Sequence, residues 1–211
     1  MATTTERLRL GPADHGRRMT LEEFLEADYV EGYRYELARG VVEVVEIPSD
    51  AHGEIVWEVL RSIALYNQEH PGLIQRAGGA SEFRIWCPGM ESDRHPDIAV
   101  VLRYMPINVR GRRPPSMVME VVSPGAEARR RDYETKREEY LAYGLLEYWI
   151  IDPQQRRVMV LLRDGPQWVE RVFLEGQEAE GLVLPGFRIA VADLLALGPD
   201  DHAAHDQIQE P

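Results

Sequence analysis

Residues 93–101 read DRHPDIAVV. Ile98 to Val101 form an apolar run with no polar break, which predicts a buried strand. Asp97 nevertheless stands at the mouth of that run, directly behind Pro96. The stretch MVMEVV at 117–122 repeats the pattern: a continuous apolar strand interrupted by one carboxylate, Glu120. Burying an unpaired carboxylate is costly, so each is expected to be paired, protonated or bound to a metal. If the two strands are neighbours, both carboxylates can point into one cleft, and like charges at close range are relieved by a divalent cation. Mg²⁺ takes one or two protein carboxylates and keeps several waters. The plainer alternative is that Asp97 caps a turn after Pro96 and Glu120 pairs with a nearby arginine.

Downstream, SPG at 123–125 turns the chain into a helix expected over 127–143 and stopped by Gly144. Lys136 lies on this helix and shares a face with Tyr133 and Tyr140, from which it can reach over the strand ends. Arg129 and Arg137 fall on nearly the same face, so helical spacing does not single Lys136 out. EYWIID (147–152) predicts a strand ending at Pro153, RRVMVLLR (156–163) and QWVERVF (167–173) predict antiparallel strands, and VADLLAL (191–197) predicts a last short helix.

Upstream, Thr20 and Glu23 form a capping-box pattern that opens the helix LEEFLEA. YRYELARGVVEVVEI reads as a hairpin, with strands 33–38 and 41–47 around a turn at Arg39–Gly40. Alternation in YRYEL puts Arg34 and Glu36 on one face. Ser49 can cap a helix over about 50–70, where Ile55, Val56, Val59, Leu60 and Ile63 recur at helical spacing and His52 sits near the cleft. Further strands are expected at about 73–77, 81–86 and 97–102, and 103–116 is a loop rich in proline and arginine. The pattern predicts an α/β fold, a mixed sheet flanked by helices.

The chain has 211 residues, 44% of them hydrophobic, enough for one sizeable core. The expected organisation is a flexible N-terminus (1–18), a single domain (19–197) and a disordered tail (198–211). One cysteine, Cys87, excludes an internal disulfide framework and suits a reducing, cytoplasmic setting. No apolar run reaches the roughly 20 residues of a membrane span. A net charge of −12 argues against passive nucleic-acid binding. It leaves room for local basic clusters, at Arg103, Arg110, Arg112 and Arg113 and again from Arg129 to Arg137. His52 and His95 match no zinc spacing, and Ser123 lacks the setting of a hydrolase nucleophile.

Asp, Glu and Lys around one cleft resemble the PD-(D/E)XK nuclease superfamily. HPDIAVV stands as the Pro-Asp element and EVV where Glu-X-Lys is expected, with Val122 in the lysine position and Lys136 on the following helix as its replacement. More closely, MTLEEFLEAD, YRYELARGVVEV, HGEIVWEVL, HPDIAVV, MVMEVVSPG, YETKREEYLAYGLLEYWIIDP and LPGFRIAVADLL resemble a bacterial group of restriction-endonuclease-like proteins, over residues 19 to about 196. The resemblance implies a restriction-endonuclease-like core, often dimeric, and metal-dependent hydrolysis of DNA. Asp97 and Glu120, with the Val121 carbonyl as a further ligand, are expected to bind Mg²⁺ or Mn²⁺. Lys136 is expected to act on the attacking water or the phosphorus, and Glu36 faces the active site. His95, Arg112, Arg113, Arg129 and Arg130 are expected to hold flanking phosphates. The competing expectation is a catalytically inactive, dimeric nucleic-acid-binding or interaction module on the same fold.

Overall fold

The computed structural model describes residues 7–45, 47–108 and 111–197. Residues 1–6 of the segment expected to be flexible, Arg110, and the expected disordered tail (198–211) lie outside the described residues. The described part of the N-terminal segment is tied down: β1 (Arg9–Leu10) pairs in parallel with β2 (Asp28–Tyr29), and Leu10 is fully buried. Between them, α1 (Leu21–Glu26) is opened by the expected capping box, with Thr20 and Glu23 exchanging hydrogen bonds.

β3 (Arg34–Ala38) and β4 (Val41–Val45) form the expected hairpin. Its turn needs left-handed backbone at both central positions, which Arg39 (φ 50°) and Gly40 (φ 74°) adopt. Ser49 caps α2 (Asp50–Glu69), which buries Ile55, Val59, Ile63 and Tyr66 along one stripe. β5 (Ile74–Gly78) follows. The strand expected over 81–86 is instead a 3₁₀ turn at Ala80–Phe83 and a three-residue β6 (Ile85–Cys87). Ala80 sits at φ 58° and its N–H bonds the Pro96 carbonyl, so the chain folds back where an extended run was expected. β7 (Ser92–Arg94) is a strand that the sequence reading did not contain, and all three of its residues are buried.

The rest follows the expected order, β8 (Ile98–Leu102), β9 (Met117–Val121), a long helix, β10 (Glu147–Asp152), β11 (Arg157–Asp164) and β12 (Gln167–Leu174), then α5 (Val191–Leu195), except that two short strands not expected from the sequence, β13 (Glu178–Glu180) and β14 (Arg188–Ala190), precede α5. The long helix has three parts: α3 (Ala126–Arg130), a π turn at Arg131–Thr135, and α4 (Lys136–Tyr143). Gly144 ends it in left-handed conformation (φ 95°), as expected of a glycine C-cap.

The main sheet has the order β12-β11-β10-β9-β8-β5, with β9 and β10 parallel and the other neighbours antiparallel. A second sheet, β4-β3-β7-β6, is antiparallel. Alternation along β8 and β9 sorts the side chains onto two faces. Ile98, Val100, Met117, Met119 and Val121 pack under α2 and α5. Ala99, Val101, Val118 and Val122 pack under Tyr140 of α4 and the β6 residues Ile85 and Cys87. Each fully buried aliphatic side chain contributes about 1.5–3 kcal/mol. The architecture is a mixed sheet flanked by helices, the α/β class expected. Among the described residues, no helix is long and apolar enough to cross a membrane.

Candidate active site

The ladder between β8 and β9 runs Ile98 to Met119, Ala99 to Val118 and Val100 to Met117. Continuing it by one residue sets Asp97 opposite Glu120, both on the face of Ala99 and Val118. The Val121 N–H donates to Asp97 Oδ2 at 3.0 Å, and the Asp97 N–H lies 3.4 Å from Glu120 Oε2, so each acid is fixed by the other's strand. The loop before β8 is seated by contact with Gly79: a Cβ there would fall 2.0 Å from the Asp97 carbonyl oxygen.

Asp97 is flanked by two basic side chains. His52 Nε2 lies 3.3 Å from Oδ2 and Arg34 Nη1 3.3 Å from Oδ1. Burial alone would raise its pKa, but His52, Lys136 and Arg34 together hold it well below the usual carboxylate range. Glu120 is 1% exposed and goes the other way. Burial pushes its carboxyl up to about 8; Lys136 opposes the rise, while Asp97, Asp132 and Glu36 add to it. The Tyr140 hydroxyl donates to Glu120 Oε1 at 2.5 Å.

Lys136 Nζ lies 2.9 Å from Glu120 Oε2 and 3.4 Å from Asp132 Oδ1. Burial, which would lower its pKa, is outweighed by the carboxylates of Glu120, Glu36 and Asp132, so it stays an ammonium. The ambiguity of the helix face is resolved by partners outside the helix: Arg137 pairs with Glu170 on β12, and Arg129 lies 3.8 Å from Asp152. The π turn carries Asp132 inward, where the Tyr148 hydroxyl donates to the Asp132 carbonyl. Such turns interrupt helices frequently at functional sites. Val122, in the lysine position of the motif, is 2% exposed and belongs to the apolar core.

Glu36 faces the same cavity as Arg34, as strand alternation predicts. Both its oxygens accept hydrogen bonds, Oε2 from Arg94 (3.0 Å) and Oε1 from the His95 N–H (3.2 Å). Its pKa is lowered to about 2, because Lys136, Arg94, His95 and Arg34 overcome the effect of burial. Arg94 is fully buried and also bonds Glu139 at 2.6 Å and Glu43 at 2.5 Å. Burial of a carboxylate does not by itself make a site, however. Glu147 is equally buried, yet its oxygens accept from the Trp149 indole and the Leu182 and Val183 N–H groups, which is a structural role.

Arg34, Glu36, His52, Asp97, Glu120 and Lys136 enclose a cavity of ≈20 Å³, room for one water or one ion. It adjoins a larger cleft of ≈660 Å³, sharing His52, Val121, Ser123 and Arg131 with its lining. Of the expected phosphate contacts, Arg130 lines the cleft. Arg129 does not line it, and His95 contributes backbone while its ring lies 3.5 Å from Asp93. Arg112 and Arg113 line a separate cavity. Sequence reasoning missed Asp132, Arg94 and Glu139 as members of this network; it placed Arg34 on the face of Glu36 and Arg131 in the basic cluster of the helix. Asp132 has a signal in hindsight, lying four residues before Lys136 on the same helix.

Among the described residues, no three His, Cys, Asp or Glu side chains form a ready-made metal cage. Two carboxylates with a backbone oxygen and water are nevertheless a donor set for a hard cation such as Mg²⁺. A cavity of one-ion size fits such an ion, and so does a carboxyl pushed up to about 8 by burial, with Asp97, Asp132 and Glu36 adding to the rise.

A family model, Uma2, described as "Putative restriction endonuclease", matches residues 21–192. The fold is similar to the crystal structure of a "putative nuclease belonging to DUF820" from Anabaena variabilis. That match has a TM-score of 0.65 and 21% identity, and covers 85% of this chain and 98% of the other. No curated protein matches the chain significantly.

Proposed function

The chain belongs to the Uma2 family, and we propose that its cleft hydrolyses DNA phosphodiester bonds with the help of Mg²⁺ or Mn²⁺. The observation that carries this reading is the pairing of Asp97 and Glu120 in register, with Lys136 2.9 Å from Glu120. Asp97, Glu120 and the Val121 carbonyl would hold the ion. When bound, such an ion supplies charge neutralisation at the phosphate and lowers the pKa of a water. Lys136, kept as an ammonium, positions the attacking water and stabilises charge at the phosphorus; it is too strongly protonated to serve as the base. Arg34 and His52 fix the Asp97 carboxylate, and the Tyr140 hydroxyl fixes that of Glu120. Glu36 closes the cavity and orients Arg34 and Arg94. Arg130 and Arg131, on the cleft wall, meet flanking phosphates. The protein acts in this reading as a cytoplasmic homodimer. Its single, buried Cys87 suits a reducing interior, and β12, at the edge of the main sheet, exposes Val169, Val172 and Leu174 to a second copy.

Incubating plasmid DNA with the protein and Mg²⁺ or Mn²⁺ tests the reading. Cleavage that disappears in EDTA and in Asp97→Ala supports it; equal cleavage by that variant and the parent rejects it. A second reading, an inactive dimeric binding module, is favoured by one observation: Lys136 and Arg34 already pair with the two acids without a metal. Calorimetry with Mn²⁺ separates the two, since a nuclease site takes up the ion and the module does not.

A further inference from the structure

The cavity that holds Arg112 and Arg113 measures ≈360 Å³ and shares no lining residue with the cleft or the small acidic cavity. Four arginines line it, Arg76, Arg84, Arg112 and Arg113, against two acids, Glu82 and Asp93. Arg84 is committed to Asp93, with its Nε 3.1 Å from Oδ1. Arg113 donates to the Met105 carbonyl, and Arg76 lies 5.0 Å from the centre of the Phe83 ring. Among the described residues, no carboxylate pairs with Arg76, Arg112 or Arg113. In a chain of net charge −12, three guanidinium groups without acid partners thus share one concavity.

Like charges lining one concavity favour an anion there, and the guanidinium fork matches phosphate oxygens in pairs. Trp86 and Tyr143 are in the same wall, and flat aromatic surface beside arginine is what a nucleobase stacks on. The volume suits a single small ligand. We propose that this cavity binds a nucleotide, its phosphate on Arg76, Arg112 and Arg113 and its base against Trp86 and Tyr143, either free in solution or as one unit of a single strand. The site does not depend on hydrolysis in the cleft and stands or falls separately from it.

Calorimetric titration of the metal-free protein with AMP, and with a 5′-phosphorylated oligothymidylate, tests the proposal in the parent, in Asp97→Asn and in the double variant Arg76→Ala/Arg112→Ala. Saturable binding is expected in the parent and equally in Asp97→Asn. In the arginine variant it weakens about tenfold or more, with the thermal transition unchanged because both side chains are on the surface. Tighter binding of the oligonucleotide than of AMP, lost in the same variant, identifies a strand as the source of the ligand; AMP binding at least as tightly identifies a free nucleotide. No saturable binding of either probe, undiminished binding in the arginine variant, or loss confined to Asp97→Asn overturns the proposal.

Discussion

Asp97 and Glu120 face each other across the first open step of an antiparallel ladder, with the Val121 N–H on the Asp97 carboxylate at 3.0 Å and the Asp97 N–H 3.4 Å from that of Glu120. Two acids fixed this way cannot move apart to relieve their repulsion. Burial pushes the Glu120 carboxyl up to about 8, and the neighbouring Asp97 adds to the rise.

Replacing Glu120 by Gln removes one acid from a crowded group while keeping an acceptor for Tyr140 and Lys136. The melting temperature of the metal-free protein is therefore expected to hold or rise, while metal-dependent cleavage falls at least about 100-fold. Differential scanning calorimetry and a plasmid assay on the same preparation check both halves. A variant that melts much lower shows that Glu120 is structural.

Lys136 is the cation nearest Glu120 and also bonds Asp132. Lys136→Met leaves two buried acids without it and is expected to cost roughly 3–5 kcal/mol in urea denaturation, and to abolish cleavage. Arg137→Met, on the neighbouring position but paired at the surface with Glu170, is expected to cost less than about 1 kcal/mol. Similar losses in both variants contradict the assignment of the buried ammonium.

Glu36 titrates near 2 in the fold against 4.5 in its absence, burial being outweighed first by Lys136 and Arg94. A depressed pKa contributes stability that is fully present above pH 4.5 and lost as the pH falls toward 2. The parent is expected to exceed Glu36→Gln by roughly 3 kcal/mol at pH 7, and the gap is expected to narrow below pH 4.5. Urea titrations across that range check it; a gap independent of pH contradicts it.

Gly79 is extended (φ −144°), so its backbone does not require glycine; its surroundings do. A methyl group 2.0 Å from the Asp97 carbonyl must push the Asp97 loop aside. Gly79→Ala is expected to cost about 1–3 kcal/mol and, through a displacement on the order of 1 Å at Asp97, about 100-fold in cleavage. Gly89→Ala, where a Cβ meets nothing within 4 Å, is the control.

The apolar runs made much of this legible in the sequence. Ile98–Val101 and Met117–Val121 read as buried strands, and the acids at the mouth of the first (Asp97) and inside the second (Glu120) point to the candidate site. The Tyr133/Tyr140 face brought Lys136 within reach, and alternation put Arg34 beside Glu36. Other parts were not legible, for identifiable reasons. β7 is Ser-Asp-Arg, which has no strand propensity; it is a strand because Arg94 meets Glu36, Glu43 and Glu139, residues 45 to 58 positions away. The π turn that carries Asp132 inward has no periodic signature. Arg112 and Arg113 are expected from composition beside the cleft, but the 103–116 loop carries them to the separate cavity beside Trp86, and composition does not say which way a loop runs.

Anomalous diffraction from crystals soaked in Mn²⁺ decides whether the two acids share one cation. A single strong peak is expected between Asp97 and Glu120, at about 2.2 Å from a carboxylate oxygen of each and absent in Asp97→Asn. A Mn²⁺-soaked crystal with no peak there, or with Mn²⁺ bound by one of the acids while the other keeps only its contacts within the protein, would contradict the shared-cation reading.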